Sequence, residues 1–238
     1  MDRYPRRGVH GQAVHDLGRR IVRGDLAPGE VLDPAALERE FDASRPAVRE
    51  ALKVLAAKGL LDARPRRGTF VRPRGDWSLL DPDVLRWRVE LAPDPAFLAK
   101  LEEVRGIVEP AGARLAAERR TQDHLDLLEA AVGLIDSGRA SDEHTVEADL
   151  AFHRVLLNAA GNELLDGMVM VIEAGLRVRD RLVHADHGWE EAAAAHRGVL
   201  DAVRDRDGDA AERRMRALLA LSARDDAALT GHPGGQAP

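Results

Sequence analysis

The 238-residue sequence has no cysteine, which excludes disulfides, thiolate metal sites and cysteine nucleophiles and suits a reducing cytoplasm. It also lacks any uncharged apolar run near the ~20 residues needed to span a bilayer. The opening MDRYPRRGVHG has charge but no apolar centre of the signal-peptide kind. There is no internal repeat and no low-complexity core. These absences predict a soluble, cytoplasmic protein with no membrane partner. The hydrophobic content of 45% is ample for two small cores, and the length predicts one or two domains. Charge is unevenly spread. Residues 1–75 hold 16 Lys/Arg against 10 Asp/Glu, a balance of +6, while the remaining 163 hold 19 against 31, a balance of −12. An acidic chain with a locally basic end suits a polyanion at that end and a self-contained second domain.

The basic end carries a recognisable order of elements. Residues 44–71 read SRPAVREALKVLAAKGLLDARPRRGTFV. Ser44 is suited to cap a helix beginning near Arg45, and Pro46 is tolerated in its first turn, where amides have no intrahelical partner. Val48, Ala51, Leu52 and Leu55 share one arc of that helix, while Arg45, Arg49 and Lys53 step along another at i, i+4 and i+8. Gly59 ends the helix, Leu60–Ala63 and Thr69–Val71 read as paired strands, and Arg66, Arg67 and Gly68 form the tip between them. Helix, basic face and basic hairpin in this order predict a winged helix-turn-helix that enters DNA. An amphipathic surface helix with solubilising arginines is the plainer alternative, and it leaves the charge asymmetry unexplained.

Val14, Leu17 and Ile21 place an earlier helix over roughly 9–23, stopped by Gly24, and Asp33 before Pro34 caps a short second one to Phe41. The predicted DNA-binding domain spans 8–73. Residues 74–94, RGDWSLLDPDVLRWRVELAPD, show no clear period and read as a connector, with Trp77 and Trp87 packing between domains. From there on every strong signal is helical. Six helices are expected, at about 95–118, 121–137, 142–160, 163–185, 190–206 and 209–229, with starts at Asp94, Thr121 and Ser141 and a stop at Gly161-Asn162. The fold class is therefore mainly α, with an N-terminal winged helix-turn-helix domain and a C-terminal all-α antiparallel bundle over 95–229. The tail from 230 to 238 has nothing to bury and is expected to be disordered.

Within the bundle, Asp149 and His153 stand at i and i+4, so both project from one face of a helix as two ligands of one ion require. A salt bridge or a satisfied core histidine fits the same spacing. Arg105 and Glu109 form a second i, i+4 pair, readable as an ordinary intrahelical ion pair worth ~0.3–0.5 kcal/mol. Glu147, two residues from Asp149, faces the other way.

Across almost its whole length the chain resembles GntR-type transcription regulators of the FadR subfamily, with an FCD-type helical effector domain after the winged helix. The resemblance rests on IVRGDLAPGEVL at 21–32, SRPAVREALKVLAAKGLL at 44–61, RRGTFV at 66–71, VRGIVEPAGARLAAERRT at 104–121, EADLAFH at 147–153, AAGN at 159–162 and DGDAAE at 207–212. DWSLLDPDVLRW at 76–87, with the 104–121 segment, is most similar to galactonate-operon repressors. The resemblance implies a homodimer on a palindromic operator in double-stranded DNA. Arg45 and Arg49 would read base edges, and Ser44, Lys53, Arg66, Arg67 and Gly68 would hold the backbone and grooves. Pro46 replaces the usual hydroxyl residue, and Ala35 replaces a basic residue of the fatty-acid-responsive members.

For the bundle the resemblance implies a divalent ion such as zinc or nickel on Asp149, His153 and His196, with Leu218 where a final histidine is expected. His184 and His187 lie close enough in sequence to confuse that assignment. Arg105 would clamp a carboxylate effector, a sugar acid such as galactonate first, beside Glu109, with Asn158 and Trp189 as further pocket residues. Two other classes remain at this stage. One is a metal-dependent hydrolase or lyase built on Asp149, His153 and His196, which lacks a distinctive catalytic motif. The other is an architectural DNA protein, which leaves the bundle without a role.

Overall fold

The computed structural model describes residues 9–91, 95–137, 143–182 and 189–230, divided into two units, Met1–Pro93 and Asp94–Pro238. In the first unit α1 (Val9–Arg23) turns Ala13, Val14, Leu17, Ile21 and Val22 inward and ends at Gly24, whose φ of 97° is open to glycine. Then come β1 (Val31–Leu32) and α2 (Pro34–Glu40), the latter capped by Asp33, whose carboxylate accepts from the Ala35 amide at 2.9 Å. The helix α3 (Arg45–Ala57) buries Val48, Ala51, Leu52 and Leu55, the four residues expected. Gly59 follows with φ 74°, and β2 (Leu61–Arg64) and β3 (Gly68–Val71) close the wing. The sheet is antiparallel in the order β1-β3-β2, with Val31 opposite Phe70 and Leu61 opposite Val71.

The expected connector is not irregular throughout, because α4 (Pro82–Leu91) occupies its second half. Its period was hidden because the buried residues Val84, Leu85, Trp87, Arg88 and Val89 cover more than half of the helix surface and include a charged one. The two tryptophans expected between domains are instead buried in the core of the first unit. Trp77 donates its indole N–H to the Arg72 carbonyl at 3.2 Å, and Trp87 donates to His15 Nδ1 at 3.1 Å. Lys58, at the end of α3, reaches Asp81 at 3.0 Å and Asp83 at 2.9 Å ahead of and within α4. Burial opposes the Lys58 charge, but the Asp83 and Asp81 carboxylates outweigh it and hold its pKa above the ordinary value.

Gly18 explains how Trp87 fits. A Cβ there would stand 2.2 Å from the indole ring, so only glycine lets α1 and α4 approach this closely. Gly18→Val is expected to destabilise the first unit by about 1–3 kcal/mol through overpacking, read in urea unfolding by tryptophan fluorescence. An unchanged midpoint would show that Trp87 has another place to go.

The second unit is all helix among the described residues: α5 (Pro95–Arg119), α6 (Gln122–Ser137), α7 (Glu143–Ala159), α8 (Glu163–Leu182), α9 (Trp189–Arg204) and α10 (Gly208–Thr230). Thr121 starts α6 by a reciprocal cap, its hydroxyl accepting from the His124 amide while His124 Nδ1 accepts from the Thr121 amide. Gly161, at φ 61°, ends α7, and Asn162 accepts from the Leu164 amide to start α8. α10 packs on α5 and α9, α6 on α7 and α9, and α7 on α5 and α8. Leu128, Ile135, Phe152, Leu156, Val199, Val203, Met215 and Leu218 lie at the centre. Pro110 sits inside α5 and cannot donate to the Gly106 carbonyl; Arg216 of α10 donates to it at 3.4 Å instead. Asp94, Ser141, His184, His187 and the tail 231–238 lie outside the described residues, while Thr230 closes α10.

Candidate functional site

At the basic end the structure gathers the expected residues on α3 and the wing. Arg45 and Arg49 are exposed one turn apart on α3, flanking its buried face. Arg66 and Gly68 occupy the wing tip in left-handed conformations, φ 66° and 81°. Arg67 behaves differently from Arg66, since its guanidinium lies over the Phe70 ring, 3.7 Å from the centroid. That stacking fixes a cation against the sheet before any partner arrives. One expectation is corrected here: Ser44 is the N-cap of α3 by backbone conformation, but its side chain makes no capping bond. Lys53 is exposed and carries a surface ion pair with Glu50 one turn back, at 3.1 Å.

In the second unit, polar side chains from three helices meet in a setting that excludes water. Arg105 and Glu109 of α5, Asp149 and His153 of α7 and His196 of α9 are all at most 4% exposed. Each is placed by its helix period, Arg105 and Glu109 one turn apart on α5 and Asp149 and His153 one turn apart on α7. Arg105 donates from Nε to Glu109 Oε1 at 2.6 Å and from Nη1 to Glu102 Oε1 at 3.2 Å. Its Nη2 is buried with no hydrogen-bond partner. Burial works against charge at both ends of this pair, yet the neighbours win. Glu109 and Glu102 hold the Arg105 pKa above the ordinary arginine range, while His153 and Arg105 hold the Glu109 carboxyl well below the ordinary carboxylate range.

The two histidines are oriented from behind. His196 Nδ1 lies 2.8 Å from the Ala192 carbonyl, an acceptor only, so this nitrogen carries the proton. In a neutral ring the other nitrogen, Nε2, is left with a lone pair, and it stands 2.7 Å from Asp149 Oδ1. His153 turns Nδ1 toward Glu109 Oε2 at 2.5 Å and Nε2 toward Asp149 Oδ1 at 3.7 Å. Neither His153 Nδ1, Glu109 Oε2 nor His196 Nε2 makes a bond of hydrogen-bonding geometry, close as the partners are. Asp149, His153 and His196 each offer a ligand atom, all within 4.8 Å of one another. A carboxylate and two imidazoles braced by Glu109 and a carbonyl have the donor chemistry of a divalent metal centre. Leu218 is buried among apolar side chains and brings no ligand.

Asn158 is not part of this cluster. It is exposed, bonded to His124 at 3.2 Å and to Asp166, and lines a separate cavity of about 400 Å³ with Leu127, Arg154 and Val169. Trp189 opens α9, and its side chain lies outside the described residues. Two participants escaped sequence reasoning. Glu102 was visible as an i−3 neighbour of Arg105, and Gly175 as an isolated glycine inside α8. A Cβ at Gly175 would stand 3.2 Å from Arg105 Cδ, so α8 lies directly on the arginine.

Comparison with known proteins matches residues 10–71 to the model for bacterial regulatory proteins of the gntR family and residues 100–221 to the FCD domain. The galactonate operon transcriptional repressor of Escherichia coli (strain K12) is 38% identical over 215 residues, covering 89% of this chain and 93% of that protein. Among solved structures, a GntR protein of Streptococcus agalactiae is 28% identical with a TM-score of 0.52, covering 90% of this chain and 99% of that one. Lar of Listeria monocytogenes, 18% identical with a TM-score of 0.63 over 94% and 99% of the two chains, shares the fold. No helix among the described residues is long and apolar enough to cross a membrane. The hydrolase or lyase alternative therefore falls, since the matches over both units are to regulators. The chain belongs to the GntR family of bacterial regulatory proteins with an FCD domain, and is a DNA-binding transcription regulator rather than an enzyme.

Proposed function

We propose that the protein is a cytoplasmic repressor, dimeric through its helical unit, whose grip on a palindromic operator is relaxed by a small carboxylate, with galactonate the first candidate. The observation that carries the effector class is Arg105. It is a buried cation with two of its nitrogens held by Glu109 and Glu102 and the third, Nη2, without a partner. A carboxylate is the group that satisfies a guanidinium nitrogen with its charge as well as its lone pairs. The contact offered is one nitrogen, not the full two-pronged fork. Beside it, Asp149, His153 and His196 would hold a divalent ion, zinc or nickel being the closest to this donor set. Such an ion would add positive charge at the bundle centre, with coordination positions that three protein ligands leave open. The relative's name, galactonate operon repressor, supports both repression and the sugar-acid class.

On the DNA side, Arg45 and Arg49 would donate to guanine O6 and N7, each pair worth about 1–3 kcal/mol of discrimination, while Arg66, Arg67 and Gly68 would position the wing. Two copies on a palindrome would place equivalent helices about one helical turn apart. The effector then acts by population shift, weakening DNA binding only by its differential affinity for the two states. The test is fluorescence anisotropy on DNA from immediately upstream of the gene, titrated with galactonate, other aldonates, uronates and hydroxy acids. Release by one acid is expected. Tight binding that no acid alters would remove the sugar-acid assignment, and binding without sequence preference would remove the operator.

A further inference from the structure

Ion pairing separates the described basic residues of the first unit, the buried Arg88 apart, into two groups. Arg19, Arg20, Arg23, Lys53, Lys58, Arg64, Arg72 and Arg86 each pair with a carboxylate of the same unit. Arg39, Arg45, Arg49, Arg66, Arg67 and Arg74 have no carboxylate partner among the described residues. Four of these six are the cations already placed on the reading helix and wing. Arg74 is accounted for by its own surroundings, since it lies 5.9 Å from the Trp77 ring and reaches toward Gly24 at the end of α1. Among the described residues, Arg39 alone has neither an assigned function nor a carboxylate partner.

Arg39 is exposed on α2, two residues and so about 200° around the helix from the buried Leu37. Its neighbour Glu40 is already engaged by Arg20 at 2.6 Å and so is not available to neutralise it. The turn from Phe41 to Ser44 joins the end of α2 that carries Arg39 to the end of α3 that carries Arg45. Asp42, at φ 46°, and the bond from the Ala43 amide to the Glu38 carbonyl at 3.0 Å fix that turn. In a helix-turn-helix the first helix crosses the DNA backbone while the second enters the groove. A guanidinium held there, with no internal carboxylate, matches a phosphate diester.

We propose that Arg39 is an additional phosphate anchor, placing α2 on the DNA backbone beside the base-reading arginines of α3. The inference rests on DNA binding by this unit and not on the effector or metal assignments. It makes Arg39 a positioning residue, indifferent to sequence, in contrast to Arg45 and Arg49.

The experiment compares full-length wild type with Arg39→Gln, Arg39→Lys and Arg23→Gln, the last removing a charge that is already paired with Asp25. Kd is measured by anisotropy over 50–300 mM salt, a range chosen on the order of that over which phosphate contacts dominate. Two duplexes are used, one selected by the wild type from a randomised pool and one scrambled. Arg39→Gln should lower the slope of log Kd against log salt by about 0.9 per bound protomer, by the same amount on both duplexes. Arg39→Lys should keep the slope, and Arg23→Gln should change it little. An unchanged slope in Arg39→Gln overturns the proposal. So does an equal fall in Arg23→Gln, which would mean a general field effect, or a loss confined to the selected duplex, which would mean base reading. If the wild type selects no sequence, the operator reading fails while the Arg39 comparison is still read on scrambled DNA.

Discussion

Arg105→Ala is expected to destabilise the helical unit by about 3–5 kcal/mol, because it leaves Glu109 charged and buried without its guanidinium. In a unit of this size that is a fall on the order of 10 °C in unfolding temperature. Isolated on a surface helix, the same i, i+4 pair would contribute a few tenths of a kcal/mol. Burial reverses the scale, because the cost of removing one partner is the desolvation of the other, with Glu102 and His153 left to rearrange around it. The companion variant Arg105→Met with Glu109→Leu removes both charges and should recover most of the loss, a non-additivity that a simple cavity does not produce. Thermal and urea unfolding of the two variants check this. A loss below about 1 kcal/mol for Arg105→Ala would mean that water or another cation replaces the guanidinium.

This bears on how the effector site can be probed. An alanine variant that unfolds the domain says nothing about a carboxylate, so loss of induction in Arg105→Ala has two explanations. Arg105→Lys keeps the charge beside Glu109 and removes the unpartnered Nη2, and so isolates the recognition group. The expected result is a folded protein that binds DNA normally and responds weakly to galactonate.

Much of this arrangement was legible from periodicity. The face of α3 from Val48 to Leu55 and the pairing of Asp149 with His153 and Arg105 with Glu109 follow from 3.6 residues per turn, and the caps at Asp33 and Thr121 from side-chain oxygens that accept the free amides of a first turn. Part of what escaped lies between elements distant in sequence. α4 was obscured because its buried arc is broad and includes the charged Arg88, which reads as a solvent residue, while the polar stripe of Asp83, Arg86 and Glu90 is narrow. The fit of Trp87 against Gly18 joins residues far apart in sequence, and nothing local marks either one. Lys53 looked like the third member of a basic row, but Glu50, three residues earlier, is equally well placed to pair with it. The convergence of His196 on Asp149 came from family resemblance, since a single histidine on α9 carries no spacing signal of its own. Arg39 shows the limit from the other side: its charge was plain, but its lack of a partner is a property of the folded unit.

Stripping the protein with chelator and restoring zinc or nickel is expected to raise the stability of the helical unit by about 2.7 kcal/mol when free metal stands at 100 times its Kd. The gain should vanish in His153→Ala and His196→Ala and shrink in Asp149→Asn, while DNA-free folding of the first unit is unchanged. The physical reason is in the orientation of the rings. His196 Nδ1 is committed to the Ala192 carbonyl, so a neutral ring presents a lone pair, and not an N–H, to Asp149. With the ring neutral, two acceptors face each other there, an arrangement that a shared metal ion or a proton on Nε2 relieves. Glu109 makes the same demand on His153 from the other side of the ring. With Leu218 bringing no fourth ligand, affinity should be lower than for a closed four-ligand site, and added carboxylate should tighten metal binding if it takes an open position, by the same factor that metal tightens carboxylate binding. Calorimetric titration of each against the other measures that factor. A factor of one would separate the metal from the effector, and no stabilisation by any divalent ion tested would leave the three residues as a buried polar network held by hydrogen bonds alone.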